Sequence, residues 1–171
     1  MYIVIGASSF IGVYTVDEFI KQGCEVTVTG RNNKFREHYD RLGVPYINLD
    51  LTEKKDFDKL PKEGVDGVIL LAGLLPANAQ VDLNTDENAA DYFEINTIGT
   101  INVLEYCRKN GIKRVISNCS YADVRGAWGK GVITEDEPRD FIYTGDHAVY
   151  VFSKNAANDV LEYYNQQHGM K

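Results

Sequence analysis

The chain opens on a short apolar run, Tyr2-Ile3-Val4-Ile5, that breaks at Gly6 and resumes as a helical pattern from Phe10. This join limits the fold more than any other feature. A strand that passes straight into a helix starts a βα crossover, and crossovers of this kind connect parallel strands. The tight turn needs a residue without a Cβ, which Gly6 supplies. The helix after it directs its free N–H groups and positive dipole end at an anion. Gly12 lets that helix approach the strand closely. The spacing is not the G-x-G-x-x-G of the basic fingerprint; it is G-x-x-S-x-x-G, with Ser9 in the middle glycine position. A plain strand-to-helix turn uses glycines too. The placement between strand and helix favours a phosphate turn that holds a dinucleotide, NAD or NADP, with Ser8, Phe10 and Ile11 beside it.

The rest of the chain repeats the alternation. Strands are expected at 26–29, 46–49, 65–71 and 113–118, and helices at 10–22, 33–42, 52–60 (N-cap Thr52), 87–110 and 148–168, with a loop at 76–86. Alternating strands and helices predict an α/β fold, a Rossmann-like doubly wound parallel sheet of order 3-2-1-4-5. At 171 residues this is one domain. The net charge of −7 opposes nonspecific binding to nucleic acid. No apolar run reaches the roughly 20 residues of a membrane span. Cys24, Cys107 and Cys119 form no close-spaced pair and read as reduced thiols. With no signal-peptide pattern, the expected location is cytoplasmic. His38, His147 and His168 are scattered, so no metal site is expected, and all three read as solvated or capping residues.

After the second strand, an acidic residue would accept hydrogen bonds from ribose hydroxyls and favour NAD. Here Gly30-Arg31-Asn32-Asn33 follows instead. Arg31 can pair with a 2′-phosphate, which leans the cofactor toward NADP; an exposed arginine starting a helix is the plain alternative. Tyr150 and Lys154 lie four apart in a helical stretch and share a face. Such a pair suits proton transfer with an alcohol. A tyrosine pKa near 10 must fall about three units, roughly 4 kcal/mol, for a base at pH 7, and a neighbouring ammonium supplies part of that. With 11 tyrosines, chance alone gives about one Tyr-x-x-x-Lys, so position in the fold carries the weight. Ser120 closes the fifth strand, where ligands meet an open sheet. Asn96 is a poor helix former inside a long helix.

Together these residues resemble the extended short-chain dehydrogenase/reductase family, the NAD-dependent epimerase/dehydratase group that acts mostly on nucleotide sugars. Gly6 to Gly12 resembles its G-x-x-G-F-I-G. Asp50-Leu51 resembles the pair whose aspartate contacts the adenine. Val68-Ile69-Leu70-Leu71-Ala72-Gly73 resembles V-I-H-L-A-A, which lines the cofactor ribose. The stretch from Asn96 to Glu105 is close to N-x-x-G-T-x-N-L-L-E. Ser120, Tyr150 and Lys154 fall on the family's catalytic serine, tyrosine and lysine. The resemblance implies that Tyr150 takes the substrate hydroxyl proton as hydride leaves. Lys154 would hold the nicotinamide ribose, and Ser120 would fix the reacting oxygen.

Ser9 replaces a glycine of the family pattern. Arg125 stands for the tyrosine of V-Y-G, with one extra residue before it. Family members run to roughly twice a single domain's length. The chain is therefore expected to be the cofactor half, lacking the C-terminal strands and substrate lobe and inactive on sugar by itself, with the fifth strand left as an uncovered edge. The family's dimers imply a homodimer through 87–110 and 148–168. A non-catalytic NADP-binding regulator or redox sensor, or a carbonyl reductase of the same fold, are the alternatives.

Overall fold

The structure is a computed structural model, and it describes residues 1–76, 89–144 and 148–171. The side chains of Tyr121, Ala122 and Arg125, the loop expected up to residue 86 beyond Pro76, and His147 lie outside the described residues. Five strands, β1 (Tyr2–Ile5), β2 (Val26–Gly30), β3 (Tyr46–Asn48), β4 (Gly67–Leu70) and β5 (Val115–Ser117), form one sheet of order β3-β2-β1-β4-β5. All four pairings are parallel, with Ile5 level with Thr29 on one side and with Leu70 on the other. The expected order is met. Central position explains why β1 is apolar without alternation: both faces are covered.

Successive residues of β1 still point to opposite faces. Ile3 and Ile5 join Val68, Leu70, Val103, Leu104 and Tyr164 in one core layer. Val4 joins Val16, Val28, Tyr39 and Ile69 in the other. Helices α1 (Phe10–Lys21) and α2 (Arg36–Arg41) therefore cover one face, and α4 (Gly99–Lys109) and α5 (Ala148–His168) the other.

Several elements are shorter or differently wound than the sequence pattern suggests. Only Arg36–Arg41 of the 33–42 stretch is α-helical, after a 3-10 turn at Asn33–Phe35 that Asn32 caps through Lys34 N–H. The 52–60 stretch is a 3-10 helix at Lys54–Lys59. Thr52 does not cap it; its N–H and hydroxyl both donate to Asp50 Oδ1, at 2.9 and 2.8 Å. The long helix is described from α3 (Ala89–Tyr92), through a π-helical turn at Phe93–Ile98, to α4. The outer edge of β5 is not bare along its whole length: Lys171 N–H donates to Lys113 O at 2.7 Å and its carbonyl accepts from Val115 N at 2.8 Å. His38 and His168 are half-buried, the first with its ring against Phe35 and Tyr39, the second against Tyr163 and Tyr164.

Candidate functional site: a two-part cavity at the strand ends

The turn after β1 leaves no room for side chains. Gly6 has φ +92°, and a Cβ there would stand 2.5 Å from Ala72 N and 2.7 Å from Ala72 Cα. A Cβ on Gly12 would stand 2.4 Å from Gly6 O. Both contacts are with backbone, so neither glycine has a substitute without moving β4 or α1. Ser9 is the N-cap of α1, and its Oγ accepts from Gly12 N–H at 3.0 Å. The serine in the middle fingerprint position thus satisfies one donor of the first turn. Its own O–H remains to donate, and the first-turn N–H groups of Phe10 and Ile11 have no carbonyl a turn earlier to reach.

An outer cavity of about 300 Å³ begins at this turn and is lined by Gly6, Ser8, Ser9, Arg31, Asp50 and Leu51 among others. Arg31 is exposed at its side. Asp50 presents its carboxylate already engaged by Thr52. Leu51 is buried, and its carbonyl is held by Asn102 Nδ2 at 2.8 Å from α4.

An inner cavity of about 290 Å³ shares Ser9 and the stretch Leu71–Leu75 with the outer one. Ala72 and Gly73 therefore line both parts. Phe10, Ile11, Asn96, Asn118, Tyr150 and Lys154 complete the inner wall. Asn96 is 3% exposed, and its amide is fully used. Oδ1 accepts from Leu74 N–H at 2.7 Å, while Nδ2 donates to Leu74 O at 3.1 Å and to Ser153 Oγ at 3.0 Å. Ser153 in turn donates to Tyr150 O at 2.8 Å, and its carbonyl accepts from Thr97 Oγ at 2.9 Å. One buried asparagine thus fastens the strand-end loop to the helical turn that carries Tyr150 and Lys154. The π turn is what aims Asn96 and Thr97 at α5, a common use of such bulges.

Tyr150 and Lys154 are both buried, and the Tyr150 ring packs edge-on to Tyr92 at 6.3 Å. Burial pushes the Lys154 ammonium below its usual pKa, and Cys119 and Asp123 partly oppose that. Ser120 is placed differently from its expected partners. It lines a separate cavity of about 820 Å³ along the outer side of β5, with Cys119, Asp123, Arg139 and Asn158. The strand-end side chain on the inner cavity is Asn118. Of the expected residues, the inner cavity thus gathers Ser9, Phe10, Ile11, Ala72, Gly73, Asn96, Tyr150 and Lys154. Reading the sequence alone missed Ser153, Thr97 and Asn118. Asn155 and Asn158, inward-facing amides one turn apart on α5, were the signal for a further polar cluster there.

A doubly wound parallel sheet with its cavity at the carboxyl ends of β1, β2 and β4 defines a Rossmann-like domain. The model of the NAD-dependent epimerase/dehydratase family matches residues 2–171, and the chain belongs to that family. The putative UDP-glucose 4-epimerase of Methanocaldococcus jannaschii is 27% identical over 172 residues, covering 100% of this chain and 53% of that protein. The UDP-glucose 4-epimerase of Pisum sativum is 31% identical over 146 residues, covering 78% of this chain and 40% of that protein. The solved structure of the Thermus thermophilus UDP-glucose 4-epimerase complex with NAD superposes with a TM-score of 0.82 at 26% identity, covering 99% of this chain and 52% of that one. The chain spans about half the length of these relatives. Among the described residues no helix is long and apolar enough to cross a membrane, and no group of three or more candidate ligands could hold a metal.

Proposed function

We propose that residues 1–171 are the cofactor-holding half of an NAD(P)-dependent oxidoreductase of the epimerase/dehydratase type, acting on a sugar nucleotide by tyrosine-assisted hydride transfer. The observation that carries the reading is the cradle itself: backbone lies where any Cβ on Gly6 or Gly12 would be, beside two cavities that share Ser9 and Leu71–Leu75. Ser8, Ser9 and the first-turn N–H groups of α1 would take the phosphates. Asp50, Leu51 and Arg31 would meet the adenosine end, and Ala72, Gly73 and Asn96 the opposite half.

When bound, the nicotinamide group supplies the hydride acceptor and donor. The chain's own residues do the rest. Tyr150 takes the proton of the substrate hydroxyl. Lys154 holds ribose hydroxyls and lowers the cost of the tyrosinate through its positive charge. Ser120, expected to fix the reacting oxygen, lines the separate cavity along β5 and not the inner one, so no step is assigned to it. The reading draws support from the relatives, which are named as UDP-glucose 4-epimerases, and from the Thermus structure, which is a complex with NAD.

Arg31 gives the outer cavity a cation suited to a 2′-phosphate, which supports NADP as the finer choice. Fluorescence titration with NADH and NADPH tests both levels. Saturable binding of either supports the cofactor half; a preference for NADPH that disappears in Arg31→Ala supports the finer choice, and a clear preference for NADH refutes it. Hydride transfer is tested on the protein with sugar nucleotide added. Hydride transfer measured with sugar nucleotide should be lost in Tyr150→Phe, and measured activity left unchanged by that substitution would refute the catalytic role. The homodimer expected through 87–110 and 148–168 draws support from partly exposed Phe93 and Ile98 before α4 and from exposed Tyr163 on α5. Sedimentation velocity showing only monomer at tens of micromolar would refute it.

A further inference from the structure

The end of β2 leaves no room for a side chain. Gly30 closes the strand, lies level with Asn48 of β3 and lines the outer cavity. A Cβ there would fall on the hydroxyl oxygen of Tyr46, with Cζ of the same ring at 2.9 Å and Ser8 Oγ at 3.2 Å. The obstacle is a side chain, so what decides is how firmly it is held. Tyr46 starts β3 opposite Val28, is 6% exposed, and packs with Val28 in the core layer under α1 and α2. Its hydroxyl donates to Asn32 O at 2.6 Å. Its ring stacks on Tyr39 at 5.8 Å, and the Arg36 guanidinium stands 5.1 Å from its centroid. Arg36 also donates to Tyr46 O at 3.1 Å and to Asn48 Oδ1 at 3.3 Å. The ring is thus fixed at its tip, on its plane and at its backbone. Tyr39 is anchored in the same way, its hydroxyl donating to Ala7 O at 2.6 Å, so the stacked pair ties down both the β1 turn and the exit from β2.

A carboxylate at the end of the second strand is the usual acceptor for the adenosine ribose hydroxyls. We propose that the Tyr46 hydroxyl stands where the first atom of such a side chain would have to be, so that Gly30 and Tyr46 together close this end of the cavity to a ribose-binding acid and leave cofactor choice to Arg31. Tyr46 is a positioning residue in this account. The inference rests on reading the outer cavity as the adenosine site, and it deepens the cofactor choice made there. Asn32, whose carbonyl Tyr46 holds, also caps the turn at Asn33–Phe35, its Oδ1 accepting from Lys34 N–H at 3.0 Å. On the other side, Gly30 O accepts from Leu49 N at 3.1 Å. Arg31 therefore sits between two fixed neighbours, with its side chain exposed at the cavity edge. The carboxylate that does line this cavity, Asp50, is engaged by the N–H and hydroxyl of Thr52. A guanidinium on a fixed loop, with no acid at position 30, suits a 2′-phosphate better than a bare hydroxyl.

The test compares the unaltered chain with Gly30→Asp, Tyr46→Phe and the double variant, by urea unfolding and by fluorescence titration with NADH and NADPH. Gly30→Asp alone should lower the urea midpoint. In the Tyr46→Phe background the same substitution should lower it by less than half as much, because the oxygen that meets the new Cβ is gone and the ring is free of Asn32. The double variant then has a carboxylate in the cavity wall, and its ratio of NADH to NADPH affinity should rise about tenfold or more over the unaltered chain, as one charge-assisted hydrogen bond gained supplies. A midpoint loss no smaller in the Tyr46→Phe background overturns the proposal, and so does a folded double variant that keeps the unaltered preference. If the double variant does not fold, Tyr46→Phe alone decides. Release of Asn32 O loosens the loop that carries Arg31, so NADPH affinity should fall about threefold or more with NADH affinity unmoved; an equal fall for both nucleotides is what a merely structural role gives, and overturns the proposal. Failure of every protein to bind either nucleotide would refute the cofactor reading and this inference with it, whereas binding without the change of preference refutes this inference alone.

Discussion

Replacing Asn96 by alanine removes the fastening between the strand-end loop and α5. Three hydrogen bonds are lost, two to Leu74 and one to Ser153. At about 1 kcal/mol each, their net loss is about 3 kcal/mol, and the half-buried N–H and C=O of Leu74 lose this partner. Alanine is the better helix former by about 0.6 kcal/mol, which offsets a small part. The variant should therefore lose about 2–3 kcal/mol in urea unfolding followed by far-UV circular dichroism, with an unchanged m-value. Dinucleotide affinity should fall at least tenfold, because the released loop, Gly73 to Leu75, lines both halves of the groove. Asn96→Asp keeps the acceptor for Leu74 N–H but faces Leu74 O and Ser153 Oγ with an unpaired buried charge. It should be at least as destabilised at pH 7 and recover as the pH falls and the carboxyl protonates. A loss below about 0.5 kcal/mol in Asn96→Ala would refute the fastening role.

Gly12→Ala places its Cβ against Gly6 O, so α1 must retreat from the turn; a loss of about 1–3 kcal/mol and at least tenfold in dinucleotide affinity is expected by unfolding and titration. Glu105 is held at a pKa of about 2, against 4.5 ordinarily, first by its hydrogen bonds from Arg108 and then by that from Tyr164. Its folded value is depressed, so its stabilisation is full above about pH 4.5 and is lost as the pH falls toward about 2. Glu105→Gln should flatten acid unfolding in that window and cost about 1 kcal/mol at pH 7 after solvent screening; an unchanged acid limb would contradict this.

The path of the chain was legible because each strand is a short apolar run closed by a turn residue and followed by a helical period. Sheet order then followed from the parallel crossovers. The glycine turn was legible for a local reason: a strand that must turn beneath β4 and a helix that must pack on Gly6 O tolerate no Cβ. The π turn at Phe93–Ile98 was not, because one extra residue in a helical turn leaves apolar spacing almost unchanged over a few residues. Thr52 misled as a cap because Asp50, two residues earlier, competes for the same groups. The Lys171 bonds to β5 depend on how the chain returns from α5, which no local pattern encodes. In the site, the Tyr150–Lys154 pair follows from helical spacing. The side of β5 on which Ser120 opens depends on strand register and on the turn that follows, so Ser120 was read without its cavity. Tyr46 was passed over because an aromatic residue in a strand looks like any other core side chain until Gly30 and Asn32 are seen beside its hydroxyl.

The central claim is that a dinucleotide lies along the groove from the β1 turn to Tyr150 and Lys154. Amide chemical-shift mapping of the ¹⁵N-labelled chain during titration with NAD and NADP tests it most directly. Saturable shifts should concentrate at Gly6, Ser8, Ser9 and Gly12, at Asp50 and Leu51, and at Ala72 to Leu74, with the cavity beside Ser120 and Arg139 unaffected. Shifts centred on that second cavity, or none at millimolar dinucleotide, would contradict it.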